Sequence, residues 1–145
     1  MLRKWVKERI KRDRESSKIF KEFIEYIVKR FEGRVSIILF GSRAKKEHLL
    51  SSDYDVMIIA NEYRNDNIFD RIVDLRIEFG KNLKIHLFPL TKDEFFKSYE
   101  EGSIIVNEAI RDGIILFDGL NISEKIESIR DRMKSIEVVD KYPES

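Results

Sequence analysis

Short apolar runs separated by longer amphipathic segments set the pattern of hydrophobic and polar positions along this chain. Residues 35–40 and 56–60 are almost wholly apolar and rich in Ile and Val. Runs of this kind are typical of buried β-strands. Residues 83–88 predict another strand, which we expect Pro89 to end because proline has no N–H for a strand ladder. Residues 114–117 predict a last short strand or extended piece near the core.

The segments between these runs carry apolar residues at the spacing of amphipathic helices. We predict helices over residues 16–31, 66–79, 91–99, 103–112 and 121–136. The expected N-terminal caps are Ser16 or Ser17, Thr91 with Glu94, and Asn121 with Glu124. Three of the helices are expected to end at Gly33, Gly80 and Gly113.

Composition and length indicate a globular domain. The chain has 145 residues, of which 38% are charged and 42% hydrophobic, and its formal net charge of +1 gives no overall attraction to nucleic acid or membrane. The absence of cysteine excludes disulfides and thiol chemistry and favours a cytoplasmic location. No apolar run is long enough to span a bilayer. We expect one domain over residues 1–145, with N-terminal helices at 1–32, a core at 33–118, and a C-terminal helix and tail at 119–145.

The charge is uneven, because residues 1–14 are strongly basic. The cations of this segment are Arg3, Lys4, Lys7, Arg9, Lys11, Arg12 and Arg14. Apolar residues at Leu2, Trp5, Val6 and Ile10 mark a helical face beneath them. Three interpretations remain open: an arm for nucleic acid or an acidic partner, a solvated helix packed on its neighbour, and a homodimer contact through Trp5.

The first candidate for chemistry is the turn at the end of the 35–40 strand. Gly41 follows this strand directly, and Ser42 and Arg43 come next. Glycine lets a backbone approach a ligand closely, and N–H groups at a strand-to-helix turn favour anions such as phosphate. A serine hydroxyl and a guanidinium are suitable additional donors. A Ser cap after a tight turn is the simpler interpretation of these residues taken alone.

The second candidate is a pair of aspartates at the start of the 56–60 strand. Asp53 and Asp55 are two residues apart, so in an extended backbone their carboxylates face the same way while Tyr54 faces the opposite side. Two carboxylates on one face repel each other unless a cation lies between them, and oxygen ligands suit Mg²⁺ or Mn²⁺. A solvated acidic turn capped by Ser51 and Ser52 is the alternative.

Taken together, these two places resemble the nucleotidyltransferase superfamily related to DNA polymerase beta, and in particular its minimal nucleotidyltransferases of the antitoxin type. The residues that carry the resemblance are Gly41, Ser42, Arg43 and Ala44, followed by Ser52, Asp53, Asp55 and residues 56–59. It covers roughly residues 20–117. The resemblance implies an α/β (α+β) fold, a small mixed β-sheet with helices packed mainly on one face.

The resemblance also implies an activity and partners. Asp53 and Asp55 would bind Mg²⁺ or Mn²⁺, and Gly41, Ser42, Arg43 and Ser52 would bind the nucleotide. The reaction would transfer a nucleotidyl group, adenylyl from ATP, to a hydroxyl acceptor. A helical protein partner of the HEPN type, as in toxin–antitoxin pairs, is a further implication, and no membrane is involved.

The sequence departs from the family pattern at Lys46, where the family often has glycine, and more seriously at His86. The family supplies a third catalytic carboxylate from a later strand, just before a Pro-Leu-Thr sequence, and here His86 stands at that place. An imidazole can act as a base near neutral pH but is a poor ligand for Mg²⁺. Three hypotheses therefore stay open: a catalytic site that uses His86, a degenerate module that only binds a nucleotide or a partner, and a structural domain with a relic site.

Overall fold

A computed structural model describes residues 4–45 and 53–141 of the chain. In order, its elements are α1 Lys4–Arg30, β1 Val35–Phe40, α2 Ser42–Lys45, β2 Tyr54–Ala60, α3 Ile68–Phe79, β3 Ile85–Leu90, α4 Lys92–Glu100, α5 Ile104–Asp112, β4 Ile114–Asp118 and α6 Ser123–Lys141. The strands form one sheet in the order β3-β2-β1-β4. β1 is antiparallel to β2 and β4, whereas β2 and β3 are parallel. The predicted α/β fold with a small mixed sheet is therefore confirmed.

Helices cover both faces of this sheet, so the expectation that they pack mainly on one face is wrong. Ile37 and Ile58 point to one side, where α1 and α3 pack on them. Ile38 and Met57 point to the other side, against α4, α5 and α6. The central strands are apolar on both faces, and each face needs a cover to leave water.

α1 is one continuous helix of 27 residues, which corrects the expected start at Ser16 or Ser17. Both serines lie inside the helix, where serine costs only a few tenths of a kcal/mol relative to alanine. Among the described residues of the helix, Ile19, Phe23 and Ile27 belong to the core that it forms with the sheet. No helix in the described ranges, this longest one included, is apolar enough over sufficient length to cross a membrane.

Pro89 lies inside β3, although it was expected to end the strand. Within the described part of the chain, β3 is an edge strand that pairs with β2 alone, and an edge strand can hold a proline because one side of its backbone needs no partner. β3 continues to Leu90, and Thr91 then caps α4. Thr91 Oγ1 accepts a hydrogen bond from Glu94 N–H, while Glu94 accepts one from Thr91 N–H, so the predicted capping box is confirmed.

Asp118, rather than the predicted Asn121, receives the first free N–H groups of the last helix. Its carboxylate accepts hydrogen bonds from the N–H groups of Ile122 at 2.9 Å and Ser123 at 3.0 Å. The Ser36 hydroxyl donates to the same carboxylate at 2.8 Å, which ties β1 to the turn before α6. Asn121 has a φ of 57° and belongs to the turn itself.

Asp118 is expected to make the stability of the fold depend on pH. Burial raises the pKa of this carboxyl, but the hydrogen bonds from Ile122, Ser36 and Ser123 outweigh burial and hold the pKa below its ordinary value. A lowered pKa in the folded state contributes stability above the pKa of the unfolded chain, and this contribution disappears as the pH falls through the folded value. Asp118→Asn should therefore lower the free energy of unfolding by about 1 kcal/mol at pH 7, and the difference from wild type should close in acid.

Chemical denaturation between pH 7 and pH 2 would measure this difference. Asp131→Asn is the matched control, since Asp131 is exposed on the same helix. A deficit for Asp118→Asn that stays constant over the whole pH range would contradict the assignment of the effect to the carboxylate charge.

Candidate functional site

The registers of three adjacent strands bring the predicted residues to one end of the sheet. Asp55 on β2 pairs with Phe40 at the end of β1 and with His86 near the start of β3. Gly41 follows Phe40 directly, and Asp53 immediately precedes β2. Since neighbouring residues in register share a face, Asp55 and His86 point to the same side of the sheet.

The imidazole of His86 lies beside both aspartates. Its Nδ1 is 2.9 Å from Asp55 Oδ1, and its Nε2 is 3.3 Å from Asp53 Oδ2. Each ring nitrogen thus faces a different carboxylate, an arrangement that allows His86 to hold the pair together when it is protonated. The side chain of His86 is 59% exposed, those of Asp53 and Asp55 are 39% and 27% exposed, and the cluster is therefore open to solvent.

Gly41 lies so close to Asp55 that no larger residue fits without a shift. Its φ is 74°, in the left-handed region that favours glycine, and a Cβ placed there would overlap Asp55 Oδ2. The turn that was predicted to accept phosphate and the carboxylate that was predicted to hold metal are therefore in direct contact. A ligand that touches the Gly41 backbone would also meet the Asp55 carboxylate.

Arg43 and Tyr54 form a stack that the sequence did not predict. Arg43 is buried, and its guanidinium carbon lies 4.3 Å from the centre of the Tyr54 ring. Phe20 of α1 stacks on the same ring at 4.1 Å, so Arg43 and Phe20 cover opposite faces. The Tyr54 hydroxyl is 3.3 Å from Ser17 Oγ. Tyr54, the residue between the two aspartates, thereby links α1 to the turn that follows β1.

The structure gives less information on the other residues that were predicted to bind the nucleotide. Ser42 is half-buried and is the first residue of α2, of which the structure describes Ser42–Lys45. The phosphate prediction rests on Gly41 and Ser42. Arg43 packs on Tyr54, and its role toward phosphate stays a prediction. Ser52, predicted to contact the nucleotide, lies outside the described residues.

Asp53 and Asp55 are suitable ligands for a divalent cation, but His86 in its present orientation is not. Two carboxylates on one face are suitable donors for Mg²⁺ or Mn²⁺. His86 turns one ring nitrogen toward each carboxylate. To act as the third ligand of a cation bound by the two aspartates, it would have to turn a nitrogen toward that cation. Within residues 4–45 and 53–141, accordingly, no group of three or more His, Cys, Asp or Glu side chains has a placement that could hold a metal ion. Asp53 and Asp55 fit as ligands, whereas His86 would first have to rotate away.

Comparison with known proteins places the chain in a family. The family model described as a nucleotidyltransferase domain matches residues 20–138. A curated protein of Methanocaldococcus jannaschii, named as a putative protein adenylyltransferase, is 37% identical over 59 residues, which are 40% of this chain and 54% of that protein. The chain thus spans about half the length of this relative.

Two solved structures are also similar to this one. One is the structure of a putative nucleotidyltransferase from Sulfolobus solfataricus, with a TM-score of 0.49 at 20% identity. The match covers 74% of this chain and 84% of that protein's chain. A structure titled as a toxin–antitoxin with AMP-PNP has a TM-score of 0.46 at 15% identity and covers 83% and 95%. Because the family model matches most of its length, the chain belongs to the nucleotidyltransferase domain family, as its resemblance to minimal nucleotidyltransferases implied.

Replacing Gly41 should disturb the acidic cluster more than the fold. Gly41→Ala and Gly102→Ala both place alanine at a left-handed φ, 74° and 82°, but only the first adds an atom against Asp55. Each should cost about 1–2 kcal/mol of stability through backbone strain. In Gly41→Ala the flexible Asp55 side chain should also turn away from His86.

The NMR resonances of the His86 imidazole would report this movement. They should shift in Gly41→Ala and stay at the wild-type position in Gly102→Ala. Unchanged His86 resonances in Gly41→Ala would show that the close approach of Gly41 and Asp55 is wrong.

Proposed function

We propose that this chain is a metal-dependent nucleotidyltransferase that moves an adenylyl group from ATP to a hydroxyl acceptor. The observation that carries this proposal is the direct contact between the Gly41 turn and the Asp55 carboxylate. Nucleotidyl transfer needs phosphate-compatible backbone beside carboxylates that can hold a cation, because the reacting phosphate is itself negatively charged. Membership of the nucleotidyltransferase family supports the same reaction class.

In the proposed reaction, the acceptor oxygen forms a bond to the α-phosphorus of ATP. The bond from this phosphorus to the oxygen that bridges to the β-phosphorus breaks, and pyrophosphate leaves with the electron pair. Gly41 and Ser42 bind and orient the phosphates through backbone N–H and hydroxyl donors. A divalent cation held by Asp53 and Asp55 would supply charge neutralisation at the triphosphate.

His86 is the proposed acceptor of the hydroxyl proton. Its side chain is more than half exposed, so an acceptor could reach one of its nitrogens. A neutral imidazole nitrogen within hydrogen-bond reach of a hydroxyl is a suitable general base. In this role His86 would take the place of the third carboxylate of the family, provided that it leaves one of the two aspartates when substrate binds.

A second function is favoured by the same contacts. With one nitrogen on each carboxylate, His86 occupies the space between groups that would otherwise attract a cation. A chain that keeps this arrangement would bind a nucleotide weakly or only a protein partner, without transferring a nucleotide. This degenerate module is the alternative to the enzyme.

A protein hydroxyl is our proposed acceptor class. The relative from Methanocaldococcus jannaschii, which is named as a putative protein adenylyltransferase, supports this class. A HEPN-type protein remains the predicted partner within this class, and cytoplasmic location and homodimer formation also remain predictions.

Transfer from ATP can be tested with two radioactive labels. Wild-type chain incubated with Mg²⁺ or Mn²⁺ and a protein extract should label a protein when ³²P is at the α-phosphate and leave it unlabelled when ³²P is at the γ-phosphate. Asp55→Asn should lower this labelling at least about a hundredfold, because it removes a charge beside the reacting phosphate. Asp131→Asn, a matched change on the exposed face of α6, should label at the wild-type rate.

The variant His86→Asp separates the enzyme from the degenerate module. If the wild-type chain labels no protein with either cation but His86→Asp does, then the lack of a third carboxylate is what makes the natural site inactive. The enzyme proposal would then be wrong. Labelling with γ-³²P would also exclude it, since the transferred group would then be a phosphoryl group.

A further inference from the structure

A row of cations runs along the exposed side of α1. Its members, the basic stripe, are Lys4, Lys7, Lys11, Arg14, Lys18 and Lys21, all exposed. Their separations of three or four residues place them within about 100° of the helix surface and over about 25 Å of its length. The stripe faces away from Phe23 and Ile27, which pack on the sheet, and therefore points into solvent.

The stripe concentrates positive charge in a chain that is otherwise acidic. Residues 1–21 contain nine Lys and Arg and only three Asp and Glu, although the net charge of the whole chain is +1. Like charges three or four residues apart on a helix repel each other and destabilise it. Glu8, Glu15 and Glu22 flank one side of the stripe, where they offset part of this repulsion, and none of them interrupts the row.

We propose that the basic stripe binds the phosphate backbone of nucleic acid, independently of its sequence. A polynucleotide carries a regular row of negative charges, and an uninterrupted row of exposed cations on one continuous helix matches it in sign and in regularity. An acidic protein surface would present carboxylates at irregular positions, which need no such row. The stripe has no aromatic side chain for base stacking, so binding depends on charge and weakens steeply with salt.

The stripe is joined to the candidate site through α1 itself. Ser17 and Phe20 of the same helix contact Tyr54, the residue between Asp53 and Asp55. Among the described side chains of α1, those that pack in the core against the sheet begin at Ile19, and Lys4, Lys7, Lys11 and Arg14 precede them. A polynucleotide bound along the stripe would therefore be held beside the domain without covering the central strands.

Fluorescence anisotropy with a 5′-labelled single-stranded RNA 20-mer of mixed sequence, without ATP, tests this proposal independently of catalysis. The triple variant Lys7→Gln, Lys11→Gln, Arg14→Gln should bind at least about tenfold more weakly than wild type at 50 mM salt. The slope of log affinity against log salt should fall in magnitude by about 2, since each lost phosphate contact removes about 0.7. The same sequence as DNA should bind with similar affinity.

The matched control is Lys97→Gln, Arg132→Gln, Lys134→Gln, which removes the same number of charges from exposed positions on α4 and α6 instead of α1. It should bind RNA within about twofold of wild type. Circular dichroism would check that both triple variants fold. Equal loss in both triple variants, or no RNA binding by wild type at 50 mM salt, would overturn the proposal. Displacement of the RNA by polyglutamate as readily as by unlabelled RNA would assign the stripe to an acidic protein instead.

Discussion

The register between β1, β2 and β3 is the constraint on which the candidate site depends. Asp55 pairs with Phe40 on one side and His86 on the other, so that Gly41 and the imidazole must both lie beside its carboxylate. A shift of one residue in either register would turn Asp55 to the α1 side of the sheet, because strand side chains alternate between faces. The apolar residues of β2, which are buried on both faces, fix this register through the cores that they enter.

The site is held by contacts that carry no chemistry themselves. Tyr54 lies between the two aspartates and enters the core on the opposite face, where Phe20 and Arg43 enclose its ring. A rigid residue between two half-buried carboxylates limits their freedom, which is the kind of preorganisation that electrostatic catalysis requires. A metal ion held by Asp53 and Asp55 corresponds to the proposed enzyme, whereas His86 kept between the two carboxylates corresponds to the degenerate module.

Most strands and helices could be predicted from the sequence, because apolar runs and glycine stops are local signals. β1 was predicted with the bounds it has, and the Thr91 cap was read from spacing alone. Errors arose where long-range packing decided the outcome. Pro89 stays in its strand because β3 is an edge, and edge position is a property of the whole sheet. The grouping of Asp53, Asp55 and His86 was implied by family resemblance, whereas the Arg43–Tyr54–Phe20 stack has no signal in sequence spacing.

Paramagnetic broadening by Mn²⁺ tests most directly whether the turn and the acidic pair form one site. With Mn²⁺ and a non-hydrolysable ATP analogue added to ¹⁵N-labelled protein, the amide signals of Gly41 and Ser42 and the imidazole signals of His86 should broaden first. The double variant Asp53→Asn, Asp55→Asn should abolish this effect, since it removes the carboxylates that would hold the cation. Broadening centred on another part of the protein, or broadening at Gly41 that survives in the double variant, would contradict this account.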